Sequence, residues 1–180
     1  MPTRQTSALH AHRWSQPAAT YFVTCCTQER RSGLTATNVT HTLKQVTGVS
    51  DAQDDTTTHA FAVMPDHVHW LFTLGRRLTL GRVLSRWKTQ TKGALQLAGL
   101  DWQRDFYEHQ LRPDEAMEPY ALYIFLNPYR AGLLTADDAW AHWHCPVPGR
   151  FDFTTHLSSN GAPPSEWIDE LIPSSLSTGE

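Results

Sequence analysis

Residues 60–74, AFAVMPDHVHWLFTL, decide the fold and the chemistry that this sequence predicts. The first five are apolar on both faces, as in a strand well inside a sheet. After Pro65 and Asp66 the pattern alternates, and a strand turns alternate side chains to opposite faces. His67 and His69 therefore share one face, about 7 Å apart along the strand. The apolar residues on the other face are Val68, Trp70, Phe72 and Leu74. The segment predicts two consecutive strands, the second of which presents two imidazoles.

The segments before and after this pair alternate between strand and helix patterns. Residues 20–27 are rich in β-branched and aromatic side chains and predict a first strand. Residues 37–47 have the helical spacing of apolar residues, and Gly48 is expected to end that helix. Residues 51–58 predict a polar connection. A strongly amphipathic helix is expected from about Thr79 to Gly99.

The C-terminal half adds one strand and one helix. Residues 102–112 suit a strand, and a helix is expected after Pro113 with a kink or break at Asn127 and Pro128. The order predicts an α+β fold with an antiparallel sheet, ferredoxin-like, with helices on one face and the other face free for a ligand. We expect an extension at residues 1–19, the domain at 20–149 and an acidic tail at 150–180.

Composition excludes several classes of protein. No apolar run approaches the roughly 20 residues that span a bilayer, and the N-terminus lacks the apolar stretch of a secretory signal. Three cysteines are too few for a disulfide framework, so a cytoplasmic protein is predicted. The net charge is −3, but residues 76–112 hold eight basic residues against three acidic ones, whereas Lys and Arg are absent after Arg150.

The basic central region is a candidate surface for DNA. Basic residues on the amphipathic helix suit contacts to phosphates, and an aromatic residue beyond it suits stacking on unpaired bases. An ordinary solvated surface is the alternative for the helix. The candidate DNA-binding residues are Arg82, Arg86, Lys88, Lys92 and Trp102, with Tyr107 as a second aromatic. We also expect the acidic tail to compete with DNA for this basic face.

A third group is needed beside the two histidines, because the pair alone also fits a polar sheet face. Tyr123 and Asn127 are four residues apart and so lie on one side of the last helix. Singly, Tyr123 also fits a core position and Asn127 a helix cap. Together, two imidazoles and an amide oxygen form a three-ligand site with open positions, which suits Mg²⁺ or Mn²⁺.

Three motifs carry a resemblance to a known family: MPDHVHW at residues 64–70, WQRDFYEH at 102–109 and YIFLNPYRAGL at 123–133. They resemble the REP-associated tyrosine transposases, which belong to the single-tyrosine HUH transposases, over about residues 21–134. The resemblance implies that His67 and His69 are metal ligands, that Tyr123 is the nucleophile and that Asn127 completes the site.

The resemblance also implies an activity: DNA transposition and recombination by nicking and joining single-stranded DNA near hairpins. Attack by the tyrosine would leave a 5′-phosphotyrosine and a free 3′-hydroxyl. The covalent bond to tyrosine stores the energy that is needed for rejoining. The expected partner is REP-like hairpin DNA and not a membrane, and a monomer is favoured with a dimer left open. The alternative function is a domesticated module that binds hairpin DNA without cutting it.

Overall fold

The computed structural model describes residues 15–170 and residue 176. It contains five strands, four α-helices and two 3₁₀ turns in this described part. The strands are β1 (Thr20–Cys26), β2 (Thr56–Val63), β3 (His67–Leu74), β4 (Tyr107–Gln110) and β5 (Trp143–His144). The helices are α1 (Thr37–Ala52), α2 (Leu80–Leu97), α3 (Glu118–Arg130) and α4 (Glu166–Glu170), and the 3₁₀ turns are Gln28–Arg30 and Asp152–His156.

One antiparallel sheet organises the chain, with the strand order β4-β1-β3-β2-β5. The first four strands in sequence have the order 4-1-3-2 that a ferredoxin-like βαββαβ arrangement requires, so the predicted fold class is confirmed. The short strand β5 pairs with Phe61 and Ala62 and extends the sheet beyond β2. The central position of β1 and β3 places the histidine-bearing strand in the interior of the sheet.

Helices α1 and α2 cover one face of the sheet, as the sequence predicts. The apolar residues of β3, from Val68 to Leu74, join α1 and α2 in the first core, where Trp70, Trp87 and Trp102 lie in a chain of ring contacts. The other face also carries a helix: α3 packs over β2 and β3 and forms a second core with Phe22 and Leu71. The second face is therefore partly covered by α3, because that helix has its own apolar stripe.

The boundaries of several elements differ from the sequence prediction. Helix α3 begins at Glu118 and not directly after Pro113, β4 is limited to Tyr107–Gln110, and the connection predicted at residues 51–58 is only residues 53–55. Helix α1 continues through Gly48 to Ala52, because glycine costs only about 1 kcal/mol in a helix and buried contacts of Thr47 and Ser50 hold the last turns. Helix α3 runs through Pro128 to Arg130 without a break. A proline so near the end of a helix removes only one hydrogen bond, so the helix continues to its end.

The segment after residue 150 contributes to the second core. Phe151 and Phe153 are 2% and 5% exposed and pack with the apolar residues of α3. Two hydrogen bonds fasten α3 to this segment: the backbone N–H of Phe153 donates to Glu118 Oε1 at 2.8 Å, and Arg130 Nε donates to the carbonyl of Ile168 at 3.1 Å. These residues pack on the side of the sheet opposite α2, so the described part of the segment does not lie on the basic helix.

None of the helices in the described part of the chain combines the length and the apolar character that crossing a bilayer requires.

Candidate active site

Strand β3 turns both histidines toward α3. Because its apolar residues fill the first core, His67 and His69 project from the other face, where they are 5% and 0% exposed. Their rings are almost perpendicular, with centroids 4.6 Å apart, and the two Nε2 atoms lie 3.1 Å from each other. The predicted pair of imidazoles therefore converges on one point.

The outer nitrogen of each ring has a partner. His67 Nδ1 lies 2.7 Å from Asp66 Oδ1, and His69 Nδ1 lies 3.0 Å from the hydroxyl of Thr24 on β1. Burial, and then the neighbouring His67 and Arg30, hold the pKa of His69 well below its ordinary value. Where the partner of Nδ1 is a carboxylate, as it is at His67, a neutral ring carries its proton on Nδ1 and leaves Nε2 as the ligand atom.

Helix α3 brings the other two predicted residues to the histidines. The ring of Tyr123 meets that of His69 edge to face, with centroids 5.5 Å apart. Tyr123 is 8% exposed, and Asn127, one turn later, is 9% exposed. Asn127 and His67 line the same open cleft of about 690 Å³, together with Arg30 and Asp66. All four predicted site residues thus gather between β3 and α3.

The histidine pair fits a divalent metal ion. Two nitrogens bound about 2.1 Å from one ion at a right angle would be roughly 3.0 Å apart, close to the observed 3.1 Å separation. The described residues contain no group of three or more His, Cys, Asp and Glu that could hold a metal. A site here therefore needs the amide oxygen of Asn127 or ligands from substrate.

The basic residues of α2 differ in how free their charges are. Arg82 is exposed. Arg86 is paired at 3.0 Å with Asp55, whose side chain is only 3% exposed, and Lys92 lies 3.7 Å from Asp101. Lys88 Nζ donates to three backbone carbonyls of residues 103–105, at 2.8, 3.4 and 2.9 Å. Lys88 therefore holds this loop, and its contact with a phosphate stays a prediction.

Trp102 does not present an exposed ring for a base. It is 8% exposed, packs against Trp87 with centroids 5.2 Å apart, and its indole N–H donates to Thr91 Oγ1 at 2.9 Å. Burying its large apolar ring in the first core is more favourable in free energy than exposing the ring to solvent. The base-stacking role predicted for Trp102 is corrected to a core role. Tyr107, on β4, is half-buried and meets Phe22 edge to face.

The second tyrosine of α3 lies deeper than Tyr123. Tyr120 is 1% exposed, as expected for a core residue, and its hydroxyl donates to Glu115 Oε1 at 3.2 Å. His109 binds the same carboxylate at 2.9 Å and stacks on the Tyr120 ring. The contact with His109 and the backbone N–H of Arg112 lower the pKa of Glu115, the backbone contribution being the larger. This cluster braces the start of α3.

Sequence reasoning missed the partners of the imidazoles. Thr24 is opposite His69 only through the register of β1 against β3, which no local pattern reveals. Arg30 reaches Asp66 at 2.8 Å from a turn in which Glu29 and Arg30 both have left-handed backbone angles, φ 57° and 56°. Asp66, by contrast, precedes His67 directly, and that adjacency was available as a signal.

The fold and the paired imidazoles beside a tyrosine-bearing helix are the features that the resemblance to tyrosine transposases predicts. Comparison with known proteins also identifies a transposase family. Residues 15–110 match the family described as IS200-like transposases, so the chain belongs to that family. The resemblance to the REP-associated tyrosine transposases is confirmed by two relatives. A REP-associated tyrosine transposase of Escherichia coli K12 is 30% identical over 84 residues, 46% of this chain and 50% of that protein. The chain thus matches about half the length of that relative.

The second relative is a solved structure described as a REP-associated tyrosine transposase bound to a REP hairpin. It is 25% identical, with a TM-score of 0.62, and the likeness covers 74% of this chain and 81% of the other. Helix α3, with Tyr123 and Asn127, lies beyond the residues that match the family.

Proposed function

We propose that this chain is a metal-dependent endonuclease and strand transferase that acts on single-stranded DNA near hairpins through a 5′-phosphotyrosine. One observation carries the proposal: two imidazole Nε2 atoms 3.1 Å apart, with the ring of Tyr123 against His69. Membership of a transposase family supports a DNA-processing activity. The relative bound to a REP hairpin supports hairpin DNA as the partner.

His67, His69 and Asn127 would hold the metal ion, Mg²⁺ or Mn²⁺. Such an ion, when bound, withdraws charge from the non-bridging oxygens of a phosphodiester and so lowers the barrier to attack by an anionic or phenolic oxygen. Both imidazoles are buried, and the pKa of His69 is lowered mainly by that burial. A proton is therefore a weak competitor for Nε2 of His69 at neutral pH.

Tyr123 supplies the nucleophile. Its phenolic oxygen forms a bond to the scissile phosphorus while the bond from phosphorus to the 3′ oxygen breaks. The phenol gives up one proton and the leaving 3′ oxygen gains one, so the number of protons is unchanged. The product holds the 5′ phosphate on Tyr123, and attack by another 3′-hydroxyl reverses the step and joins a new strand without an external energy source.

The experiment incubates the protein with a single-stranded DNA hairpin that carries a labelled flanking strand, in Mn²⁺, and separates the products under denaturing conditions. We expect a covalent protein–DNA adduct. Tyr123→Phe should abolish the adduct. Tyr120→Phe is the matched control on the same helix and should retain it, because Tyr120 is a core residue bonded to Glu115.

Two results would contradict the proposal. An adduct that persists in Tyr123→Phe would show that another residue is the nucleophile. Hairpin binding without an adduct, in a protein that binds Mn²⁺, would favour the alternative of a binding module that does not cut DNA.

A further inference from the structure

The turn between β2 and β3 is hydrogen-bonded to residues 27–34, the segment after β1 that contains the 3₁₀ turn Gln28–Arg30. The backbone N–H and the hydroxyl of Thr27 both donate to the carbonyl of Asp66, at 2.9 and 3.0 Å, and the N–H groups of Gly33 and Leu34 donate to the carbonyl of Pro65 at 2.8 and 2.9 Å. Two successive left-handed residues, Glu29 and Arg30, lie inside this turn. Such backbone costs free energy at residues other than glycine. The conformation directs the Arg30 side chain at Asp66.

Asp66 joins Arg30 to His67. Its Oδ2 lies 2.8 Å from Arg30 Nε, and its Oδ1 lies 2.7 Å from His67 Nδ1. A carboxylate can only accept hydrogen bonds, so the proton of a neutral His67 must be on Nδ1. The lone pair of the ring is then on Nε2, the atom that faces His69 Nε2. The Thr24 hydroxyl beside His69 imposes no such choice, because a hydroxyl both donates and accepts.

We propose that Asp66 is a positioning residue that fixes His67 as the tautomer with the proton on Nδ1, and that Arg30 fixes Asp66. The inference rests on the proposed function, since it concerns the same pair of imidazoles. Arg30 occupies the second carboxylate oxygen, which aims the first at the ring and away from the cleft. The chain thereby sets the direction of the lone pair before any ion or DNA is bound.

The isosteric variant Asp66→Asn provides a sharp test. Arginine only donates hydrogen bonds, so it will hold the amide oxygen of the new side chain and turn the amide NH₂ toward His67. An NH₂ group donates to Nδ1, which moves the ring proton to Nε2 and turns an N–H into the site. We therefore expect nitrogen NMR of the full-length, metal-free protein to show the His67 proton on Nδ1 in the native chain and on Nε2 in Asp66→Asn.

Metal affinity should follow the tautomer. Calorimetry with Mn²⁺ alone should show a dissociation constant about 10- to 100-fold larger for Asp66→Asn, which is the usual effect of losing the outer hydrogen-bond partner of a metal ligand. Adding Arg30→Ala to Asp66→Asn frees the amide to rotate and should return the proton to Nδ1 and recover part of the affinity. Asp54→Asn is the charge-matched control, because Asp54 is exposed at the opposite end of β2, and it should change neither measurement.

The proposal is overturned if Asp66→Asn keeps the proton on Nδ1 and binds Mn²⁺ as the native chain does. It is also overturned if the double variant binds no better than Asp66→Asn. The NMR measurement uses neither metal nor DNA, so it decides the role of Asp66 even if the adduct experiment on Tyr123 fails.

Discussion

Replacing Phe153 by alanine tests whether the segment after residue 150 is part of the folded domain. Phe153 is 5% exposed, and its ring centroid lies 5.3 Å from that of Phe125 on α3, 5.9 Å from Phe151 and 6.2 Å from Trp143. Removing a buried phenylalanine side chain costs about 3–5 kcal/mol, through lost transfer free energy and the cavity left behind. We expect a loss near the lower end, about 3 kcal/mol, because the site lies at the edge of the second core and can partly collapse.

The assay is equilibrium unfolding in urea, followed by tryptophan fluorescence. At about 2–4 °C per kcal/mol for a chain of this size, the same variant should melt roughly 6–12 °C lower. Thr155→Ala is the control: Thr155 is exposed in the same 3₁₀ turn, and its replacement should change the free energy of unfolding by less than about 0.5 kcal/mol.

A loss below about 1 kcal/mol in Phe153→Ala would refute this reasoning. It would mean that residues 150–180 are a detachable tail, as the sequence-derived boundary at residue 149 predicts. If the segment is integral, deleting it should destabilise the domain and not simply improve DNA binding.

Two further predictions concern charged and titratable groups outside the candidate active site. Burial, and then the positive charge of Arg150, lower the pKa of His59 to about 4. Because the unfolded chain binds a proton at this group more readily, the free energy of unfolding should decrease as the pH falls from about 6.5 to about 4. The loss should reach at most about 3 kcal/mol in urea unfolding at stepped pH, and His59→Gln should flatten the profile; an unchanged slope would contradict this. For Lys88→Ala, which leaves three carbonyls without their donor, we expect destabilisation of about 1–3 kcal/mol with an unchanged salt dependence of hairpin binding. Arg82→Ala should instead reduce the slope of log affinity against log salt by about 1 without affecting stability. If Lys88→Ala reduces this slope and leaves stability unchanged, Lys88 is a phosphate contact and the prediction is wrong.

Local patterns predicted the parts of the fold that depend on one segment at a time. Strict alternation after Pro65 was enough to place His67 and His69 on one face of β3, and the spacing of Tyr123 and Asn127 was enough to place them on one side of α3. These predictions held because side-chain direction follows from the period of the element alone. The order of strands and helices along the chain was predicted from the same local patterns, and it is confirmed.

Features that depend on distant segments could not be predicted in this way. Trp102 was predicted to stack on bases because it follows the basic helix, but its burial is decided by Trp87 and Thr91 on α2. Phe151 and Phe153 lie in a stretch without periodicity, yet they fill the space beside α3. The free charges of α2 were overestimated for the same reason, since Asp55 and the carbonyls of residues 103–105 approach from elsewhere in the chain.

The order in which the site residues occur along the chain has a consequence for synthesis. Thr24 and the two histidines belong to β1 and β3, whereas Tyr123 comes from α3, and the residues that fasten α3 come later still. A nascent chain that has left the ribosome only as far as β4 would already carry the imidazoles but would lack Tyr123, the nucleophile of the proposed mechanism. Under the proposed mechanism, a prematurely terminated product of that length could not nick the genome that encodes it.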